Sequence, residues 1–167
     1  MEKFEFHLTD ETQTDQIYNM FLAAISEMDK NGINQWDNIY PDKDIIVKDI
    51  LNRQMYVGTH NKIIVSAFVI NTEYDVEYNN GNWCFPNTGY KVVHRLCVNP
   101  LYQNKGIGRQ AMLYIEHLLK AQGIEAIRLD AFTQNPYALK LYEKLGYKKV
   151  GFANWRKGKF YLMEKKI

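Results

Sequence analysis

The sequence predicts an α/β protein with a mixed, mostly antiparallel sheet flanked by helices. Three observations carry this. Segments with period-two alternation or β-branched runs interleave with segments whose apolar residues recur every three to four positions. They come in the order strand, two helices, two strands; then strand, helix, strand, helix; then two strands. The unit from Tyr90 to Phe132 joins its two strands through a helix, which predicts a parallel pair, and the rest of the sheet reads as antiparallel.

Each element has its own signal. Phe4, Phe6 and Leu8 alternate with Glu5 and His7, a half-buried strand. Thr9-Asp10-Glu11-Thr12 supplies helix-starting residues, and Ile17, Met20, Phe21, Ala24, Ile25 and Met28 then form one apolar helix face, ended by Asn31-Gly32. A loop with Trp36 and Tyr40 leads to Pro41, a residue suited to a helix start, and Ile46, Val47, Ile50 and Leu51 give a second apolar face. Residues 55–59 and 63–70 read as paired strands around a His60-Asn61 turn. Residues 71–89 read as a long loop or hairpin excursion, either functional or a variable surface insertion. A strongly apolar strand at 90–98 ends at Asn99-Pro100. The next helix begins near Gly106, with Ile107, Ala111, Tyr114, Ile115 and Leu118 on one face, and Arg109, Glu116 and Lys120 on the other. Gln122-Gly123 ends it. A strand at 126–132 follows, then a helix opened by Asn135-Pro136 with Ala138, Leu141, Tyr142 and Leu145 inward, capped by Gly146. A closing hairpin turns at Lys157-Gly158.

Composition bounds the function classes. At 167 residues and 46% hydrophobic, the chain is expected to form a single domain over 1–167 with a core that needs no staple. A net charge of +2 without a basic stripe predicts no nucleic-acid partner. Cys84 and Cys97 are the only cysteines, with no CxxC and no Cys/His pair at finger spacing, so no metal is expected. The charged, alternating start at 1–6 is not a secretory leader, and no apolar run approaches the ~20 residues of a membrane span. The expectation is a cytoplasmic protein without a membrane partner.

The segment 98–109 is the most informative. Gly106 and Gly108 stand at a helix start, where unpaired N–H groups and a partial positive charge favour an anion. Glycine removes the Cβ that would block a phosphate, and Lys105 and Arg109 add positive charge. Alone, Gly-x-Gly is equally compatible with a plain turn. Gly106-Ile-Gly108-Arg-Gln-Ala111 also fits the dinucleotide fingerprint, with Asp130 near the spacing of a ribose-binding acid. Against that reading, seven residues, 99–105, separate the strand from the first glycine, and too little strand–helix material follows for a doubly wound sheet.

Gln103-Asn-Lys-Gly106-Ile-Gly108 resembles the Q/R-x-x-G-x-G/A loop of the GNAT family of acyl-CoA-dependent N-acyltransferases. Leu96-Cys97-Val98-Asn99-Pro100 is close to its L-x-V-x-P strand end. The segment 135–147 matches its N-x-x-A-x-x-x-Y-x-x-x-G-F/Y helix. The resemblance covers essentially the whole chain, with 71–89 longer than a minimal member needs. It implies a GNAT-type sheet whose parallel pair splays to admit the acyl-CoA arm, and transfer of an acetyl group from acetyl-CoA, the cosubstrate, to an amine.

Residue by residue, the resemblance implies the following. The backbone of Gln103, Asn104, Lys105, Gly106, Ile107, Gly108 and Arg109 would hold the diphosphate. The backbone at Leu96, Cys97 and Val98 would pair with the pantetheine, and an amide near Cys97 could serve as an oxyanion donor. Asn135 would hydrogen-bond the same arm. Tyr142 would protonate the leaving thiolate; otherwise it is a core aromatic. His94 would act as base. It matches one of two strand histidines of some members, the other position being Val92 here, and it shares side-chain parity with Leu96 and Val98. Glu73, Asp75 and Glu77 are weaker alternatives. Cys97 as a covalent nucleophile lacks a His/Asp partner in sequence, so direct attack in a ternary complex is preferred. Trp36, Tyr40 and Trp83, with Phe85 nearby, would bound a pocket for a small-molecule amine; otherwise the two tryptophans cap the core. A homodimer is left open. A non-catalytic acyl-CoA-binding module and a dinucleotide-binding domain are the alternative classes.

Overall fold

The computed structural model describes residues 4–87 and 89–167. Met1–Lys3, part of the charged start, and Thr88, within the excursion, lie outside the described residues. The elements run β1 (Glu5–Leu8), α1 (Thr14–Lys30), α2 (Lys43–Leu51), β2 (Met55–His60), β3 (Ile63–Asn71), β4 (Tyr90–Val98), α3 (Ile107–Ala121), β5 (Ala126–Phe132), α4 (Pro136–Lys144), β6 (Lys148–Trp155) and β7 (Gly158–Lys166). Among the described residues the strands form one sheet in the order β1-β2-β3-β4-β5-β7-β6. It is mostly antiparallel, with β4 and β5 as its parallel pair, as the order of elements predicts.

Two compact units make up the chain. The first comprises residues 4–70 and 95–114. Asp10 caps the 3₁₀ turn Glu11–Gln13 that leads into α1, and Asp42 caps α2 by accepting from Ile45 N at 2.9 Å. Such caps stabilise a helix by about 1 kcal/mol each. Asp42 takes the role that Pro41 suggests from sequence, because a side-chain acceptor satisfies an otherwise orphaned N–H and proline can only avoid creating one. The expected face of α1 is buried, with Ile17 and Phe21 fully enclosed. Helix α2 departs from expectation. Ile46 and Ile50 are buried, Leu51 is 57% exposed, and Asp49 is only 4% exposed. These faces close on Met55, Val57, Ala67, Val69 and Cys97. On the opposite side of the strands, Phe4, Val65 and Ile107 are buried with Phe6, Val98 and Tyr102 packed against them. Gly58 is needed where β2 meets β1, since a Cβ there would lie 2.7 Å from the Phe6 ring.

The second unit comprises Asn71–His94 and Ile115–Ile167. Here Tyr90–Val92 of β4 runs parallel to Ala126–Arg128 of β5, and β7 pairs antiparallel with both β5 and β6. In the C-terminal half of α3, Leu119 is buried, whereas Leu118 is half-buried. Glu116, expected on the polar face, is half-buried and accepts from Lys165 Nζ at 2.7 Å. Among the described residues of the excursion there is no hairpin. The excursion forms a 3₁₀ turn, Val76–Asn80, whose Tyr78 is buried with Val92, Ala153 and Leu162.

Candidate active site

Strand β4 leaves the first unit's sheet through Asn99, whose side-chain oxygen accepts from Leu101 N at 3.0 Å and starts the turn Pro100–Tyr102. Gln103, Asn104, Lys105 and Gly106 are all exposed. Asn104 and Gly106 have φ of 63° and 76°, so the chain reverses twice in three residues before α3 begins. A Cβ at Gly106 would meet nothing within 4 Å; glycine is there for its backbone angle. Gly106 O accepts from Gln110 N at 3.0 Å, closing the first helical turn. The N–H groups of Ile107, Gly108 and Arg109 therefore have no acceptor within the helix. Ile107, 1% exposed, anchors this end in the core. First-turn amides without a helical acceptor, flanked by Lys105 and Arg109, fit an anionic diphosphate.

Behind the loop lies the end of β4. Cys97 is 2% exposed and packs among the α1 and α2 side chains. Burial pushes its thiol up to about 12, so no thiolate is available near neutral pH and a covalent acyl-cysteine route is disfavoured. Arg95 stands at φ 52°, a left-handed conformation that an L side chain adopts only under compensation. The compensation is visible: Nε and Nη2 donate to the two oxygens of Asp49 at 2.9 and 2.8 Å, and Nη1 donates to Tyr40 Oη at 2.7 Å. The buried Asp49 thus exists to hold Arg95. Sequence reasoning missed this pair; its one signal is a carboxylate set between Ile46 and Ile50 on an apolar face. The twist at Arg95 also breaks strand alternation between His94 and Leu96, so the shared parity predicted from spacing does not follow.

Of the expected acceptor residues in this unit, Trp36 is core, 8% exposed and 5.5 Å from the Phe21 ring. Tyr40 is 37% exposed, with its hydroxyl engaged by Arg95.

The second unit holds the expected acid and base. His94 is half-buried, and its Nε2 lies 2.9 Å from Asn71 Oδ1. Tyr142 is the buried residue of α4 and meets Tyr147 edge to face at 5.8 Å. Burial, reinforced by the charge of Asp130, raises the Tyr142 phenol above its ordinary value of 10. Asp130 in turn accepts from Tyr78 Oη at 2.7 Å. Asn135 caps α4 through its oxygen, which accepts from Ala138 N at 3.1 Å. Trp83 is taken up by the fold. Its indole N–H donates to Tyr78 O at 2.8 Å, and its ring covers the guanidinium of Arg128 at 4.4 Å, with Tyr90 also 3.8 Å from that guanidinium. Arg128 is paired with the buried Glu164, which accepts from the Cys84 and Phe85 amides at 2.7 and 3.3 Å. The excursion is thus pinned by a buried ion pair. Glu73 and Asp75 are exposed, and Glu77 is half-buried. Among the described residues no group of three His, Cys, Asp or Glu side chains could hold a metal, and no helix is long and apolar enough to cross a membrane.

One parallel strand pair in a mostly antiparallel sheet is not the arrangement of a doubly wound dinucleotide fold. Residues 22–147 match the Acetyltransferase (GNAT) family, and the chain belongs to that family. It is 22% identical over 166 residues to S-(2-succino)cysteine N-acetyltransferase of Bacillus subtilis, covering 98% of this chain and 96% of that one. Its fold is similar to that of a GNAT-family acetyltransferase from Streptococcus agalactiae, with a TM-score of 0.85 at 23% identity over 98% and 95% of the two chains. It is also similar to the PaiA N-acetyltransferase of Thermoplasma acidophilum, solved with coenzyme A, with a TM-score of 0.73 at 18% identity over 99% of both. The protein is an acetyltransferase.

Proposed function

We propose that the chain, as a single domain over 1–167, transfers an acetyl group from acetyl-CoA to the amine of a small molecule by direct attack in a ternary complex. The observation that carries this reading is the 103–106 turn: an exposed, doubly left-handed loop just before α3, in a member of the acetyltransferase family. The coenzyme A in the Thermoplasma relative supports the same donor here. The amides of Gly106 to Arg109 would bind the diphosphate. The backbone of Leu96, Cys97 and Val98 and the amide nitrogen of Asn135 would orient the arm, and the amide near Cys97 would stabilise charge on the thioester oxygen.

His94 and Tyr142 divide the proton chemistry. An alkyl ammonium is a far weaker acid than an imidazolium and has no lone pair, so the acceptor attacks as the neutral amine, its first proton left to solvent. As the C–N bond forms the attacking nitrogen becomes cationic and acidic, and His94 takes one of its protons. The C–S bond breaks, and Tyr142 gives its hydroxyl proton to the departing sulfur. Its burial keeps the phenol protonated at working pH, although the same burial makes it a weaker acid. Solvent exchange restores both groups. The acceptor is a small amine, as the S-(2-succino)cysteine enzyme of Bacillus subtilis takes by its name. Of the expected pocket residues, Trp36 and Trp83 are occupied by the fold.

A thermal-shift panel with acetyl-CoA, coenzyme A, NAD and ATP tests the donor. Acetyl-CoA and coenzyme A should raise the melting temperature, and Gly106→Val, strained at φ 76°, should abolish that shift while remaining folded. Stabilisation by NAD alone, or an unchanged acetyl-CoA shift in the folded variant, contradicts the reading.

A further inference from the structure

We propose that Asn71 is a positioning residue that fixes the tautomer of His94, so that Nδ1 is the atom that accepts the proton of the acceptor amine. The inference rests on His94 as the base.

Asn71 ends β3, is 7% exposed, and directs Oδ1 at two groups. The backbone N–H of Glu73 donates to Oδ1 at 3.0 Å, and His94 Nε2 lies 2.9 Å from the same atom. The backbone donor settles the amide's orientation. Were the amide reversed, its NH₂ would face the Glu73 N–H, placing donor against donor. With oxygen at that position, Nε2 must carry a hydrogen to bond it. A neutral imidazole has only one N–H, so the lone pair is on Nδ1. Because the Glu73 amide is fixed by the chain's turn out of β3, the acceptor is held in place before any substrate arrives. The same contact limits rotation of the ring, so one residue sets both which nitrogen is basic and where it points.

Long-range ¹H–¹⁵N correlation spectra of the full chain, at a pH where the imidazole is neutral, read the tautomer directly. Wild type should show His94 as a single Nε2–H form. Asn71→Ala should give shifts averaged over both forms and lower kcat/KM for the amine by about tenfold, with acetyl-CoA affinity unchanged. Asn71→Asp keeps an oxygen at the position and should retain the Nε2–H form, which decides the matter if the alanine variant does not fold. An Nδ1–H form in wild type, or an alanine variant with wild-type spectrum and turnover, overturns the proposal. Wild-type turnover in His94→Gln would instead remove His94 as the base while leaving the spectra as described, so the two failures are distinguishable.

Discussion

Tyr142 is the proposed proton donor, and its buried ring is equally that of a core aromatic. Tyr142→Phe separates the roles, because the ring packing against Tyr147 survives and only the hydroxyl is lost. Turnover should fall by roughly tenfold or more with acetyl-CoA affinity nearly unchanged, as measured by steady-state kinetics and direct titration. Unaltered turnover would make Tyr142 structural. At this scale the sequence was uneven in what it disclosed. The glycine turn was legible because a left-handed angle at a helix start leaves few residue choices. Arg95 was not, since nothing in its neighbours announces a non-glycine residue at φ 52° or a partner 46 positions away in Asp49. Trp36 and Trp83 were legible as loop aromatics that either bound a pocket or cap the core, and the fold takes up both, Trp36 against Phe21 and Trp83 against Tyr78 and Arg128.

At the scale of elements, the excursion is held by the pair Arg128–Glu164, whose side chains are 6% and 1% exposed. Breaking a buried pair strands a charge and costs about 3–5 kcal/mol. Glu164→Gln should therefore lower the unfolding free energy by several kcal/mol in urea titrations. It should also speed amide hydrogen exchange at Cys84 and Phe85, which donate to Glu164. Exchange at those amides as slow as in wild type would show that the excursion is held by other contacts. Element type and order followed from periodicity almost throughout, whereas the exact buried face of α2 did not. An apolar count puts Leu51 inward, but the ion pair to Arg95 turns Asp49 inward and leaves Leu51 in solvent. A hairpin was one reading of 71–89; the 3₁₀ turn forms there because Tyr78 buries its ring and bonds Asp130.

For the whole molecule, the buried tyrosines tie stability to alkaline pH. Burial raises the Tyr142 and Tyr147 phenols above 10, with Asp130 and Glu116 respectively adding to it. The folded chain then holds these protons more tightly than the unfolded chain. Their contribution is complete below pH 10 and is lost as pH rises above it, by up to about 1.4 kcal/mol per pH unit for each group. Urea midpoints should fall between pH 9 and pH 11, and Tyr142→Phe should flatten that fall. Equal slopes for the variant and wild type would exclude a raised Tyr142.

Acetyl transfer from acetyl-CoA to a small amine is read out by an acceptor screen. Purified protein with acetyl-CoA is offered a panel of small amines and lysine peptides. Coenzyme A release and acceptor mass are followed together. A small amine should gain one acetyl group, with one coenzyme A released per product and a higher kcat/KM than any peptide. Peptides acetylated in preference to every small amine, or acetyl-CoA bound with no acceptor acetylated, would contradict it.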